Sequence, residues 1–376
     1  VFKDIDFVTN FQQTFVIFTN MNKTSLFSIG LMSGTSLDGI DLVYAEFAVN
    51  NYIKFKILHS ETVSYSRKWK ETLQNAIHFS SDDLQRLDIE YGVLLGDVIN
   101  DFIDKFSIEN IDFVASHGHT ILHQPEKGIT LQIGNGQIIA DKTKQKVVCD
   151  FRTQDVKLGG QGAPLVPIGD ELLFGNYDFC VNLGGFSNVS FNKEGKRIAF
   201  DICPVNIVMN LYAQKLGFEY DESGEIASRG KINTVLLNKL NSLDFYDKEP
   251  PKSLGLEWVQ QKIFPLIDSL ETDVSSVLRT FVAHIAIQVS KVIANNNSVL
   301  MTGGGVFNQF LIKCIEEKSN IKIEVLNSEI INFKEALVFS FLGLLKLDSQ
   351  VNCLSSVTGS KMDHSSGEVF LPSGVQ

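Results

Sequence analysis

The sequence predicts an α/β chain in two parts, and three observations carry that prediction. Glycine-rich turns close apolar strand-like runs at residues 30–39, 184–188 and 303–305. Two stretches, near residues 26–66 and 179–201, each read as three consecutive strands. Between and after them lie runs whose apolar residues recur every three or four positions, the period of amphipathic helices. At 376 residues, with 44% hydrophobic and 20% charged residues, the chain is long enough for two filled cores.

The first strand pair is the most informative. Leu26 to Met32 enters a turn and Ile40 to Phe47 leaves it, with Ser33, Gly34, Thr35, Ser36, Leu37, Asp38 and Gly39 between them. Glycines let backbone N–H groups approach an anion, and the hydroxyls add donors. Asp38 or Asp41 could reach a phosphate-bound Mg²⁺, which prefers carboxylate and water oxygens. The same residues also suit a turn that only reverses the chain. Tyr52 to Ser66 continues as a third strand.

Leu84 to Phe106 reads as a helix, with Asp82 or Asp83 at its start. Ile111 to Ala115 reads as a buried strand that delivers Ser116 to His123 into a polar loop. His117, His119 and His123 lack a nearby acidic partner in sequence, so the loop reads as ligand-binding rather than zinc-binding. A strand at Thr130, a helix from Gln137 to Thr143 and a strand ending in Asp150 and Arg152 follow. That charged pair suits either an ion pair or substrate contacts. Leu158 to Pro167 is a glycine–proline loop, expected as a domain joint or a cleft wall, and Ile168 to Phe174 a short helix.

Phe179 to Phe191 repeats the opening theme around Gly184 and Gly185, and Arg197 to Asp201 ends in a carboxylate. The repetition suggests an internal duplication with a phosphate-facing hairpin in each copy. Asn206 to Leu216 reads as a helix stopped by Gly217, residues 219 to 256 as irregular chain bordering a cleft, and Ser275 to Ala294 as an amphipathic helix. Ser298 to Asn308 reads as a strand, the turn Gly303, Gly304 and Gly305, and a helix start, an arrangement that attracts anions, with a plain tight turn as the alternative. Ile321 to Leu326 reads as a strand, Lys334 to Leu345 as a helix and the tail from Asp348 as polar chain.

A net charge of −11 argues against a nucleic-acid surface. No apolar run approaches the roughly 18 residues of a membrane span. Five cysteines without CxxC spacing read as free thiols in a reducing cytoplasm, with Cys149, Cys180 and Cys314 buried, and the sequence offers no metal-ligand set. Residues 1–24, which lack a signal peptide's unbroken apolar core, are expected to be an extension outside the fold.

In order, the chain carries Gly30-Leu-Met-Ser-Gly-Thr-Ser-Leu-Asp-Gly-Ile-Asp41, Ser116-His-Gly-His-Thr120, Thr130-Leu-Gln-Ile-Gly134, Asp150-Phe-Arg152, Gly159-Gly-Gln-Gly-Ala-Pro-Leu-Val-Pro167 and Met301-Thr-Gly-Gly-Gly305. These strings resemble the anhydro-N-acetylmuramic acid kinase family from about Ser25 to the C-terminus. The resemblance implies two ribonuclease-H-like domains of the actin-like ATPase and sugar kinase type, closing on a nucleotide cleft. The expected division is 25–150 plus 350–376 for the first domain and 151–349 for the second.

The implied activity is an ATP- and Mg²⁺-dependent opening of 1,6-anhydro-N-acetylmuramic acid by water, with phosphorylation of O6. It belongs to cell-wall recycling in the cytoplasm, and the resemblance suggests a homodimer. By position, Ser33 through Asp41, including Ile40, hold phosphates and Mg²⁺. Gly184 and Gly185 face phosphate, and Gly303 to Gly305 face the adenosine. Asp201 falls on the catalytic base, and His117, Arg152 and Glu335 fall on the sugar side. One string departs: family members commonly follow the aspartate with Thr-Gly-Pro-Gly-Asn, and here Asp201-Ile-Cys-Pro-Val-Asn206 stands. The competing expectations are a kinase of another amino sugar, in which Asp201 deprotonates a hydroxyl, and a nucleotide-binding regulator without sugar chemistry. Asp201 and the Asp150–Arg152 pair argue against the regulator.

Overall fold

The computed structural model describes residues 23–34, 37–49, 51–293 and 298–374. The readings at Thr35, Ser36 and residues 1–22 lie outside the described residues. Lys23 and Thr24 belong to the fold rather than to an extension. Lys23 pairs with Asp112, and the Thr24 carbonyl accepts the Val49 N–H at 3.0 Å.

Two sheets organise the chain. The first contains β1 (Ser25–Ser33), β2 (Ile40–Ala48), β3 (Asn51–Val63), β4 (Phe113–Gln124), β5 (Ile129–Ile133), β6 (Val147–Cys149) and, from the C-terminus, β12 (Glu368–Phe370). The second contains β7 (Phe179–Leu183), β8 (Phe186–Lys193), β9 (Lys196–Pro204), β10 (Val299–Thr302) and β11 (Glu324–Val325). Their orders are β12-β6-β4-β1-β2-β3 and β11-β10-β7-β8-β9, with β5 paired to β4.

The same plan appears twice. An antiparallel meander is extended on its first strand by two parallel strands: β4 and β6 in one sheet, β10 and β11 in the other. This is the ribonuclease-H-like order, so the repeated hairpins are matched by a repeated topology.

Helix bounds moved where a cap lies further out than the apolar period. The Ser81–Phe106 helix is capped by Ser80, whose hydroxyl accepts the Asp83 N–H at 3.2 Å; Asp82 and Asp83 sit in its first turn, where negative charge suits the helix dipole. The Ser328–Leu347 helix begins six residues before Lys334 because Asn327 takes the Ile330 N–H at 2.9 Å. The Val274–Val292 helix is capped by Asp273. Residues 219–256 are not irregular throughout: Glu225–Arg229 and Thr234–Asn241 are helical, the second capped by Asn233. Ser116 to His123 is strand rather than loop, because β5 pairs along it from His119 to Gln124.

The Ser328–Leu347 helix, adjacent in sequence to the second sheet, packs with Leu26, Val43, Phe47 and Phe113 of the first and reaches Leu300 and Cys180 of the second. The approach to β1 is close. A Cβ on Gly30 would lie 2.2 Å from the Ala336 carbonyl, so only glycine fits there. Separate cores fill the outer faces: Tyr91, Leu95 and Phe102 on the first sheet, and Met209, Phe281 and Ile285 on the second. The five cysteines are free, and Cys314 is half-buried rather than buried.

Candidate active site

A cavity of about 670 Å³ opens between the two sheets. Its walls include Met32 at the end of β1, Arg152 after β6, the Ala163–Pro167 stretch of the glycine–proline loop, Asp201 on β9, and Lys334 and Glu335 on the long helix. Residues distant in sequence therefore meet: Asp201, Arg152 and Glu335 face one space.

Asp201 lies within β9, opposite Asn188. Its carboxylate accepts the Leu254 N–H at 2.8 Å, and its own N–H donates to the Lys252 carbonyl at 3.0 Å. The 252–254 backbone thus holds the residue from both sides. Burial pushes its carboxyl above the ordinary range, and the Leu254 N–H opposes this. A raised pKa strengthens the carboxylate as a base.

Arg152 is fastened from two directions. Its Nε donates to His117 Nε2 at 2.9 Å and an η-nitrogen donates to the Gly162 carbonyl at 2.6 Å. Because Nε2 accepts, His117 carries its proton on Nδ1, which donates to the Gly118 carbonyl at 2.9 Å. Burial, then the Arg152 charge, holds His117 well below the usual histidine range. Burial lowers Arg152 to about 10 against the pull of Glu335. His117 is therefore a neutral support for Arg152. Glu335 is open to the cavity but enclosed by protein around it; desolvation raises its carboxyl despite Lys334 and Arg152.

Beneath Glu335 lies a network that sequence reasoning missed. Lys334 Nζ pairs with Asp170 Oδ1 at 3.0 Å, both side chains buried. Ser190 donates to the other Asp170 oxygen and accepts from Arg197 at 2.7 Å. Burial, the largest single influence, favours neutral Lys334, but Asp170 together with Cys180 and Glu335 outweighs it and the net shift is upward. The partners are 164 residues apart, so no local signal joins them.

The first hairpin turn is fastened to its neighbours by local contacts. The Ser33 hydroxyl donates to the Gly118 carbonyl at 2.7 Å, so it is committed to β4. Leu37 has φ +60° and its N–H donates to the Gly34 carbonyl at 3.3 Å. Leu37 and Ile40 give their side chains to the apolar core, and Gly39 packs against Val63. Asp38 is exposed. Asp41 accepts the Thr62 hydroxyl at 2.6 Å; burial raises its carboxyl, and the negative charge of Asp38 adds to the rise. Two carboxylates that repel each other at a half-buried turn suit an oxygen-binding cation such as Mg²⁺.

The remaining glycines form a second group. The Gly185 carbonyl accepts the Val205 N–H at 2.8 Å, and the Gly184 carbonyl accepts the Asn206 N–H at 3.2 Å. A Cβ on Gly303, at φ +84°, would lie 2.5 Å from Asn182 Oδ1; one on Gly305 would lie 2.8 Å from Leu183 Cβ. One on Gly304 would have Asn206 Nδ2 nearest, at 3.8 Å. Gly184, Gly185, Gly303, Gly304 and Gly305 thus converge on the ends of β7 and β10 and the start of the Asn206–Gln214 helix. They lie outside the residues that line the cavity.

Among the described residues, His117, His119 and His123 do not gather for a metal. His117 is bonded to Arg152, His123 Nδ1 faces the Thr130 hydroxyl at 3.2 Å, and burial lowers His119 to about 4. Among the described residues, no helix is long and apolar enough to cross a membrane.

Comparison with known proteins agrees with the motifs. The sequence profile described as "Anhydro-N-acetylmuramic acid kinase" matches residues 26–372. A protein of that name from Clostridioides difficile is 34% identical over 371 residues, covering 89% of this chain and 96% of its own length. One from Haemophilus influenzae is 30% identical over 388 residues, covering 93% and 99%. With a profile match over nearly the whole fold and relatives aligned along nearly all of their lengths, the chain belongs to the anhydro-N-acetylmuramic acid kinase family.

Proposed function

We propose that this chain hydrolyses the internal bridge of 1,6-anhydro-N-acetylmuramic acid and transfers the ATP γ-phosphoryl group to the released O6. The products are N-acetylmuramic acid 6-phosphate and ADP, and the role is cell-wall recycling in the cytoplasm. The observation that supports this most is the meeting of Asp201, Arg152 and Glu335 around one cavity between the sheets.

Asp201 is the base. One of its oxygens holds the Leu254 N–H, which leaves the other to take a proton from water. That water forms a bond to the anomeric carbon as the bond to O6 breaks, in the manner of inverting glycoside chemistry. O6 then takes the γ-phosphoryl group, a step that needs positioning and charge neutralisation more than covalent help. Arg152 and Glu335 orient the sugar. Asp38 and Asp41 would hold Mg²⁺, which when bound neutralises phosphate charge. The 303–305 turn receives the adenosine side. Residues 25–150 with 350–376, and residues 151–349, act as the two closing domains, and the functional unit is a homodimer.

The test is incubation with ATP, Mg²⁺ and the anhydro sugar in ¹⁸O-labelled water, followed promptly by mass measurement. The expected product carries one phosphoryl group and one labelled oxygen. A phosphorylated sugar without label would make the protein a plain sugar kinase, and unchanged sugar would remove this substrate.

A further inference from the structure

Outside the cavity, the C-terminal segment folds back onto the glycine–proline loop and gathers three metal-binding side chains. Asp155, Cys353 and His364 are buried, and their ligand atoms lie within 4.8 Å of one another. Cys353 Sγ is 3.2 Å from Asp155 Oδ1, and His364 Nε2 is 3.6 Å from the same oxygen. Cys353 and His364 are held side by side by reciprocal backbone bonds of 3.1 Å, so their relative position does not depend on side-chain packing.

The histidine shows what is missing. His364 Nδ1 faces the Met362 carbonyl at 3.1 Å, and a carbonyl only accepts, so Nδ1 carries the proton. Nε2 faces the Asp155 carboxylate at 3.6 Å, beyond hydrogen-bond distance. Among the described residues it has no hydrogen-bond partner, although the side chain is only 5% exposed. A buried ring nitrogen left unpaired beside a carboxylate oxygen is unfavourable as it stands, and the thiol beside both donates to that same oxygen. A cation between the three atoms would satisfy all of them.

We propose that Asp155, Cys353 and His364 bind one Zn²⁺ ion. Sulfur, imidazole nitrogen and carboxylate oxygen are the ligand set of that borderline ion. The surroundings already provide the outer support such ligands need: Met362 orients the imidazole, and the Thr358 hydroxyl (2.7 Å) and Gly162 N–H (2.7 Å) hold the two Asp155 oxygens. On binding, the Cys353 S–H bond breaks, its proton passes to solvent and the thiolate forms the metal–sulfur bond.

The site would staple the C-terminal segment to the Thr153–Lys157 helix, which leads into the loop that forms the cavity wall. Gly162, bonded through its N–H to Asp155, gives its carbonyl to Arg152. The ion therefore stands two hydrogen bonds from a cavity-lining guanidinium. It does no chemistry on substrate.

The test starts with metal analysis of the whole protein purified without a metal-affinity step. About one zinc per chain is expected in the wild type, with a tenfold or greater loss in Cys353→Ser and His364→Gln. Because either variant can fail to fold, the wild type is also stripped with a chelator and titrated with Co²⁺, then with Zn²⁺. A thiolate-to-cobalt charge-transfer band, displaced by Zn²⁺, and a rise in Tm on adding Zn²⁺ alone support the site. Stripped protein that takes Co²⁺ without that band, or zinc content equal in wild type and a folded variant, overturns it.

Discussion

The Lys334–Asp170 pair makes a strong stability prediction. Lys334→Met removes the charge and keeps most of the side-chain volume. Asp170 is then left with the Ser190 hydroxyl as its remaining named partner, and Arg197 reaches it only through that hydroxyl. Both side chains are within 6% of complete burial, so water replaces the ammonium group poorly. Removing one member of a buried pair costs about 3–5 kcal/mol. The Ser190 bond, a charge-assisted one, retains part of the stabilisation of Asp170, which places the expected loss near about 3 kcal/mol. Urea denaturation of the wild type, Lys334→Met, Asp170→Asn and the double variant would measure it. The double variant should recover more than half of the loss, because its buried charge is gone. A loss under about 1 kcal/mol in Lys334→Met, or strict additivity in the double, would refute the view that Asp170 depends on Lys334.

The other predictions concern the site. Asp201→Asn should bind ATP as the wild type does and lose about 10²–10⁴ in kcat, followed by coupled ADP release; full activity would remove the base assignment. Because burial raises the Asp201 carboxyl and the reaction needs it ionised, kcat/KM should fall as pH drops through a midpoint above the ordinary carboxylate range. A pH profile with its acid limb near the unperturbed value would contradict that. Gly303→Ala places a Cβ at φ +84° and 2.5 Å from Asn182 Oδ1, so it should lower Tm without nucleotide and weaken ATP binding. Gly304→Ala, with 3.8 Å of space, should leave Tm unchanged and report on nucleotide alone.

The parts of the fold that were legible in the sequence are those written locally. The meanders declared themselves through glycine turns between apolar runs, and Val274–Val292 through its period. What escaped depends on distant partners. Ser116 to His123 reads as a loop because histidines break the apolar run; it is strand because β5 pairs with it. Thr234–Asn241 has only eight residues, too few for a convincing period beside charged and proline clusters. The Lys334–Asp170–Ser190–Arg197 network and the Asp155–Cys353–His364 group join residues far apart in the chain, and no spacing rule reaches them.

The departure after Asp201 is where sequence and structure together say most. Replacing the family's glycines with Cys203 and Val205 looks like a loss of ligand contact when read as a string. In the fold, both side chains are fully buried in the second core. The bonds that matter there are made by the main chain: Val205 and Ile207 donate to the Gly185 carbonyl, and Asn206 donates to that of Gly184. The Asn206 side chain adds a bond to the Leu183 carbonyl at 3.3 Å. Side-chain substitutions leave main-chain donors in place, so the helix start remains docked on the hairpin turn. Asp201, three residues before Pro204 on the same strand, keeps its bonds to the 252–254 backbone. On this reasoning the altered string changes core packing and preserves the position of the base. Converting Cys203 and Val205 to glycine should therefore cost stability, through the cavities left in the core, before it changes kcat. Thermal unfolding and turnover measured on the same double variant would separate the two; a large fall in kcat at unchanged Tm would show that these side chains shape the site itself.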